Sequence, residues 1–385
     1  MASGRNWGMT AALGASVIAV CYGFARYAYG LFVPEFTAVF ALNATGLGIL
    51  GGVSTLGYTS GLLAAPRLAR RSARGATVAA GACAVAGLII MSTAGPVVLF
   101  AFGLLIAGSG AGLVSPAVAQ LIGRTVRSEA RSQAQTWANT GTSFGLIASA
   151  FTPVLILGWR EIWWGFAVVA VTVTVLALLA LPRPVETGAA LHVRARGWRP
   201  GTSALLVNSL LLGITSAPYW NFSVERVTEL GFSTQLSSWF WLVIGVAGPA
   251  GGLAGGLCRR YGITGVNVAT WTVWAFGLAL LALPVGGVLI PLISAAVFGA
   301  AFMALTGICI LWAALLFPEA PAHGVTLSFL GLGAGQTLGA PLAGAVADST
   351  ALAVVFACAA ALSLTTWWQL LPRVRIPDRG ARANC

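Results

Sequence analysis

A single arginine lies among tyrosines in a long apolar stretch near the start of the chain. Residues 21–36 read CYGFARYAYGLFVPEF, and Arg26 interrupts an otherwise uncharged run. The spacing of an α-helix places Tyr22, Arg26 and Tyr29 on one face and turns Tyr27 away from it. A guanidinium group beside phenol rings and hydroxyls suits the binding of an anionic or carbonyl-bearing ligand. The alternative is an arginine that is paired with an acid or with carbonyl groups and only holds helices together.

Further candidate binding residues lie near the middle of other apolar stretches. Trp220 and Asn221 follow Pro218, which is placed to kink the helix that presents them. The alternative for Trp220 is an anchor at the membrane interface, where tryptophan is common. Four more side chains are candidates because of their positions within such stretches: Tyr58, Trp137, Thr140 and Gln336.

The composition indicates the elements that must position these residues. Hydrophobic residues make up 58% of the 385 positions, and charged residues only 8%. A soluble domain cannot bury that much apolar side chain behind so little polar surface, so we expect a polytopic protein in a lipid bilayer. The net charge of +12 does not indicate a nucleic-acid partner, because the basic residues are arginines that, Arg26 apart, are scattered in short connecting segments.

Twelve membrane spans fit between the charged and turn-forming residues, since roughly 20 apolar residues cross the hydrocarbon core. The segments 75–123 and 261–318 have room for two spans each and are broken near 92–96 and 283–287. The remaining segments hold one span each: 6–34, 36–66, 132–159, 162–182, 200–224, 230–258, 324–347 and 349–372.

The arginines predict the orientation of the spans. Most of them fall in segments that lie on one side if the N-terminus is inside, including residues 67–74 and 124–131. By the positive-inside rule this side, and with it both termini, is cytoplasmic. We therefore expect a protein of the bacterial cytoplasmic membrane. The predicted organisation is a six-helix bundle over 1–181, a central cytoplasmic loop over 182–202, a second bundle over 203–372 and a tail over 373–385.

The two halves of the chain resemble each other at a nearly constant offset. A shift of 191 positions superposes Gly57 on Gly248 and Tyr29 on Trp220. A shift of 194 superposes the segment 141–145, GTSFG, on 335–339, GQTLG. Two halves in the same orientation indicate parallel repeats about an axis along the membrane normal. The glycine pairs four residues apart let helices approach closely, either as static packing or as surfaces that slide during gating.

With these features the chain resembles the major facilitator superfamily of transporters over its whole length. The basic loop GLLAAPRLARRSARG at 61–75 is similar to the superfamily's loop signature but contains no aspartate, and GGLCRRYG at 255–262 is its second-half counterpart. The segment 23–36 resembles the Gly-x-x-Arg-Phe-x-Tyr…Pro pattern of the bacterial YbfB/YjiJ-like subgroup. The resemblance implies an all-α fold of twelve helices in two pseudo-symmetric bundles and secondary transport by alternating access.

The resemblance also suggests a gate. Spans one and seven of the superfamily face each other across the pseudo-twofold axis, and the shift of 191 places Glu35 on Arg226. We therefore predict that Glu35 and Arg226 pair when the cavity opens inward; the alternative is solvated surface charge. Glu35, and after it Glu225, is the candidate for proton coupling. Coupling through Arg26 and a substrate carboxylate, or no coupling, stays open.

Transport of a small organic solute, either an organic anion or an amphipathic compound, is the function that the sequence favours. An enzyme is disfavoured because the nine acidic residues are dispersed and show no catalytic spacing. A transporter-like sensor that binds a small ligand without net transport remains the alternative. We expect a monomer and no cofactor or metal, and the direction of transport stays open.

Overall fold

The computed structural model describes residues 7–155, 158–182, 198–284 and 287–370, and every regular element within these ranges is helical. Twelve long helices, α1 to α12, follow one another along these ranges. Their bounds are α1 Trp7–Leu31, α2 Ala44–Arg71, α3 Ala73–Thr93, α4 Val97–Thr125, α5 Ser128–Asn139 with Gly141–Ala150, α6 Trp159–Ala180, α7 Thr202–Glu229, α8 Gln235–Tyr261, α9 Ile263–Ala282, α10 Leu289–Leu316, α11 Pro321–Ser349 and α12 Leu352–Gln369.

Ten of these helices are each long and apolar enough to cross a membrane. The other two are α5, which is interrupted at Thr140, and α7, which carries polar residues such as Asn208 and Asn221 along its 28 residues. The predicted all-α architecture of two six-helix bundles is confirmed. The segments 183–197 and 371–385 lie outside the described residues, so the predicted bundle, loop and tail boundaries stay predictions.

Local capping fixes where α2 begins and ends. The side chain of Asn43 accepts a hydrogen bond from the backbone N–H of Gly46 at 2.9 Å, which satisfies one of the free donors at the start of α2. Ser72 leaves the helical conformation and caps α3 in the same way, by accepting from the N–H of Gly75 at 2.9 Å. The short turn holds the arginines of this loop at one end of the bundle.

The predicted glycine repeat corresponds to two equivalent helix contacts. In the first half, Gly141 of α5 packs directly on the carbonyl of Ala15 in α1. In the second half, Gly335 of α11 packs on the carbonyl of Leu210 in α7. A side chain at either glycine would collide with backbone, so both close approaches require glycine. The two halves are thus built on the same α1–α5 and α7–α11 contact.

The halves meet at the end of the bundle where α2 begins, which we name the Ala44 end; the opposite one is the Arg71 end. At the Ala44 end Gly48 of α2 packs on Ala340 of α11, and Gly30 of α1 packs on the backbone of Trp220 in α7. Toward the Arg71 end, a cavity of about 440 Å³ opens along α1 and α5. The protein is therefore closed at the Ala44 end, and the cavity along α1 and α5 lies nearer the Arg71 end.

Candidate substrate-binding site

Arg26 lies in a part of α1 that is not an ordinary α-helix. Residues Ala19–Tyr27 form a π-helix, in which backbone hydrogen bonds run from i to i+5 and the helix is wider. Short π-helical insertions occur often at functional sites. The Arg26 side chain is only 6% exposed, so its charge is held inside the protein.

Three tyrosine rings surround the guanidinium group. Its carbon atom lies 4.2 Å from the ring centroid of Tyr58, 4.9 Å from that of Tyr27 and 5.8 Å from that of Tyr22. Nη1 also donates a hydrogen bond to the Tyr27 hydroxyl at 3.1 Å. These ring faces stabilise the cation, because the centre of an aromatic face is electron-rich. They do not neutralise its charge.

Arg26 also connects the two halves. Its Nη2 donates a hydrogen bond to Oε1 of Gln336 in α11, and Nε2 of Gln336 donates to the Ser216 hydroxyl of α7 at 3.1 Å. Among the described residues, no carboxylate lies within 4 Å of the guanidinium group. The alternative in which an acid pairs with Arg26 is therefore absent from this conformation, and the nearest strong acceptor is a neutral amide.

The expected roles of Tyr27 and Tyr29 are exchanged. The expectation that Tyr27 points away from Arg26 is wrong, because the π-helix turns less per residue and brings neighbouring positions to the same side. The Tyr27 ring stacks on Trp220 with centroids 4.0 Å apart. Tyr29, which the α-helical spacing placed beside Arg26, donates its hydroxyl hydrogen to the carbonyl of Leu47 at 2.8 Å.

A small cavity of about 20 Å³ lies beside Arg26, between the two halves. It brings together five of the residues predicted from the sequence, namely Arg26, Tyr29, Trp220, Asn221 and Gln336. Its other lining residues are Tyr27, Gly51, Ser54, Thr55 and Ala217, which sequence reasoning missed. The serine and threonine of α2 gave no signal in the sequence, because the rotation of an apolar helix about its axis cannot be derived from composition.

The predicted residues Trp137 and Thr140 line the larger cavity instead. That cavity is lined by residues of α1 from Trp7 to Ala19 and by Phe144 of α5 as well. Trp137 is 53% exposed and its ring forms part of this lining. Both cavities border the same helix α1, with the larger one nearer the Arg71 end.

Arg226 and Glu35 do not form the predicted pair. Arg226 is buried against its own half: Nε donates to the carbonyl of Leu281 at 2.9 Å, and Nη2 donates to that of Leu283 at 3.2 Å. Its charge is paired with Glu229 at 3.1 Å. The two carbonyl groups lie at the C-terminal end of α9, which favours a cation, so the guanidinium is held away from the partner half.

The acidic candidates lie at the Ala44 end. Glu35 belongs to the short helix Val33–Phe40 that follows α1, and one of its carboxylate oxygens is buried with no hydrogen-bond partner. Burial raises the pKa of Glu35 above its ordinary value. Glu225 of α7 is half-buried and likewise has one oxygen without a partner.

One contact between the halves involves a residue that the sequence did not single out. The carboxylate of Asp348, at the end of α11, accepts hydrogen bonds from the backbone N–H groups of Ala44 and Thr45, both at 2.9 Å. It also accepts one from the Thr45 hydroxyl at 2.6 Å. A carboxylate at a helix N-terminus satisfies free donors and interacts favourably with the helix dipole. Asp348 thus fastens the second half to the start of α2.

Solved structures that are similar to this chain include transporters. A D-xylose–proton symporter has a TM-score of 0.79 and 15% identity, with 96% of this chain and 99% of that chain covered. The nucleoside transporter NupG has a TM-score of 0.73 and 14% identity, with 94% and 97% covered. The xylose transporter XylE from E. coli, in a partially occluded inward-open conformation, has a TM-score of 0.75 and 13% identity, with 96% and 98% covered.

Such low identities show the fold alone. A comparison with curated proteins finds no match to this chain. The sequence family described as "Uncharacterised MFS-type transporter YbfB" matches residues 18–367, which is most of the chain. The chain therefore belongs to the YbfB family of MFS-type transporters.

Proposed function

We propose that this protein is a secondary transporter that carries a small organic anion across the bacterial cytoplasmic membrane by alternating access. The observation that carries the proposal is Arg26, a buried guanidinium group between the halves with no carboxylate of the described residues beside it. An uncompensated charge inside a membrane protein is costly and marks functional positions. A substrate anion supplies the missing partner.

The contacts of Arg26 suggest how binding is linked to movement. Gln336 of the second half holds Arg26 of the first half. An anion that binds Arg26 competes with this neutral amide, because a bond between opposite charges is stronger than the bond of the guanidinium group to a neutral acceptor, and it thereby removes one bond between the halves. The protein then converts from the state closed at the Ala44 end to the state closed at the Arg71 end, while the substrate stays bound at Arg26.

The orientation, coupling and assembly form part of the same proposal. The arginine clusters of the Arg71 end face the cytoplasm, as do both termini, and the protein acts as a monomer without a cofactor. Glu35 is the candidate for proton coupling, because its half-buried carboxyl takes up a proton more readily than an ordinary one. The chain divides into bundles 1–181 and 203–372 joined by the loop 182–202.

Uptake of labelled organic anions into proteoliposomes tests the proposal. A panel of carboxylates is offered with and without a pH gradient, and protein-free liposomes give the background leak. We expect saturable uptake of at least one anion that Arg26→Gln abolishes. The matched control is Arg160→Gln, since Arg160 lies at a helix start, bonded to the carbonyl of Ala94. Unchanged uptake by Arg26→Gln, or ligand binding without any flux, would refute carriage through Arg26.

A further inference from the structure

We infer that the group held at Arg26 is a singly charged carboxylate on an apolar tail, and that Ser54 and Trp220 bind this carboxylate together with Arg26. The inference rests on the proposed function and names the substrate class of the same site.

Three buried polar groups around the small cavity have no partner within the protein. They are Nε of Arg26, the hydroxyl of Ser54 and the indole N–H of Trp220. All three residues line the cavity of about 20 Å³ and are 6%, 4% and 6% exposed. A buried polar group without a partner is costly and rare, so three around one cavity indicate a ligand that satisfies them.

The chemistry of these groups limits the ligand. The arginine and tryptophan groups only donate hydrogen bonds, and the serine hydroxyl donates as well as accepts. Arg26 offers a planar pair of N–H groups, which matches a carboxylate better than a single carbonyl. By the same kind of measure one water molecule needs about 10–15 Å³, so the cavity of about 20 Å³ admits a carboxylate only when the amide of Gln336 is displaced from Arg26.

The same lining disfavours other classes of ligand. No aspartate or glutamate is among the residues that line the cavity, so the ammonium group of a zwitterion finds no counter-ion there. A second carboxylate is disfavoured too, because Arg26 is the only cation in that lining. The charge of the site therefore selects a monoanion.

The larger cavity is the part of the site that would bind the apolar tail of the carboxylate. It borders α1 from Trp7 to Ala19, and its walls are formed chiefly by alanine and aromatic side chains such as Trp137 and Phe144. Ala19, which lines this cavity, and Arg26 lie seven residues apart in the same π-helical segment. A carboxylate at Arg26 can thus extend a short apolar chain toward this cavity.

Isothermal titration calorimetry on the full-length protein in nanodiscs at pH 7.5, with empty nanodiscs as the blank, tests the inference. The probe is hexanoate, compared with acetate, hexanamide, hexylammonium and hexanedioate. We expect hexanoate to bind at least tenfold more tightly than each of the others. The amide and the amine lack the anion, hexanedioate carries a second charge, and acetate lacks the apolar tail.

Two variants remove one donor each, and the tryptophan variant also shortens the ring, which its matched control does as well. Ser54→Ala and Trp220→Phe should each weaken hexanoate binding about tenfold, the usual effect of losing a hydrogen bond to a charged group. The matched controls are Ser223→Ala and Trp312→Phe. Each removes a buried polar group that has no partner but lies outside the cavity lining, so hexanoate affinity should stay unchanged.

The outcomes separate this inference from the proposed function. If Arg26→Gln abolishes hexanoate binding while Ser54→Ala and Trp220→Phe leave it unchanged, the shared donor site is wrong and anion carriage by Arg26 stands. If hexanamide binds as tightly as hexanoate, the site does not require a carboxylate. If acetate does, the site does not require an apolar tail. Absence of hexanoate binding overturns the proposed substrate class. The proteoliposome panel decides the proposed function separately.

Discussion

Removal of the Asp348 carboxylate should open the Ala44 end. This side chain bonds two backbone N–H groups and one hydroxyl at the start of α2, across the boundary between the halves. These bonds join the halves at the end that is closed, and a conformation open there would separate them. Asp348→Ala therefore destabilises the closed state alone and shifts the equilibrium toward opening.

The size of the shift follows from the type of contact. Loss of a carboxylate from a helix N-terminus costs about 0.5–2 kcal/mol. Since Asp348 is exposed to water, we take about 1 kcal/mol, which changes the ratio of closed to open molecules roughly fivefold. Asp348→Asn keeps one carbonyl oxygen as an acceptor and should have about half of this effect in free energy.

Distance measurements between spin labels can detect this change. One label at Val39 and one at Thr228 lie on opposite halves at the Ala44 end, and both side chains are exposed. In a cysteine-free background, Asp348→Ala should enlarge the long-distance population about fivefold. The control is Thr350→Ala, since the Thr350 hydroxyl bonds only Val346 within its own helix. An unchanged distance distribution in Asp348→Ala would refute the assigned role.

Three further predictions follow from the same geometry. Tyr27→Phe should weaken anion binding several-fold in calorimetry because it removes the hydroxyl that Arg26 contacts, whereas Tyr219→Phe, which removes a hydroxyl bonded to Ser294 outside the cavity lining, should lower Tm and leave affinity unchanged. Burial raises the pKa of Glu35, so its ionisation opposes folding: Tm should fall as pH rises through that raised pKa, and Glu35→Gln should remove this slope in a thermal-shift series. Gly335→Ala should lower stability by about 1–3 kcal/mol in a denaturation assay, because a Cβ there meets the backbone of α7; Gly307→Ala, which has open space, should not. A pH-independent Tm in the wild type, or equal effects within either matched pair, would contradict these expectations.

The sequence predicted the helices and several residues of the site for physical reasons that are easy to state. The apolar lengths set the spans, and the glycine segments at 141–145 and 335–339 revealed equivalent contacts in the two halves. Arg26 stood out because a cation in a membrane span is costly. Gln336 was chosen only for its depth in the membrane, and the structure brings it to Arg26.

The rest of the site depends on features that residue types do not encode. No residue pattern announced the π-helix over Ala19–Tyr27, and it is this local widening that brings Tyr27 to the guanidinium group. The rotation of α2, which presents Ser54, follows from packing against other helices. The partner of Arg226 was missed for a related reason. The repeat predicted the position opposite Glu35, but the carbonyl groups at the end of α9 lie closer and hold the guanidinium group.

The distribution of contacts between the halves indicates which closed state is favoured without substrate. The superfamily's loop signature carries an aspartate at the arginine-bearing end, and the corresponding loop 61–75 has none. Two arginines at that end bond within their own half: Arg124 donates to the carbonyl of Arg70, and Arg199 pairs with Glu319. The carboxylate that joins the halves, Asp348, lies instead at the Ala44 end. The state closed at the Ala44 end should therefore be the favoured one, and an anion that competes with Gln336 for Arg26 removes one of the bonds that hold the protein in it.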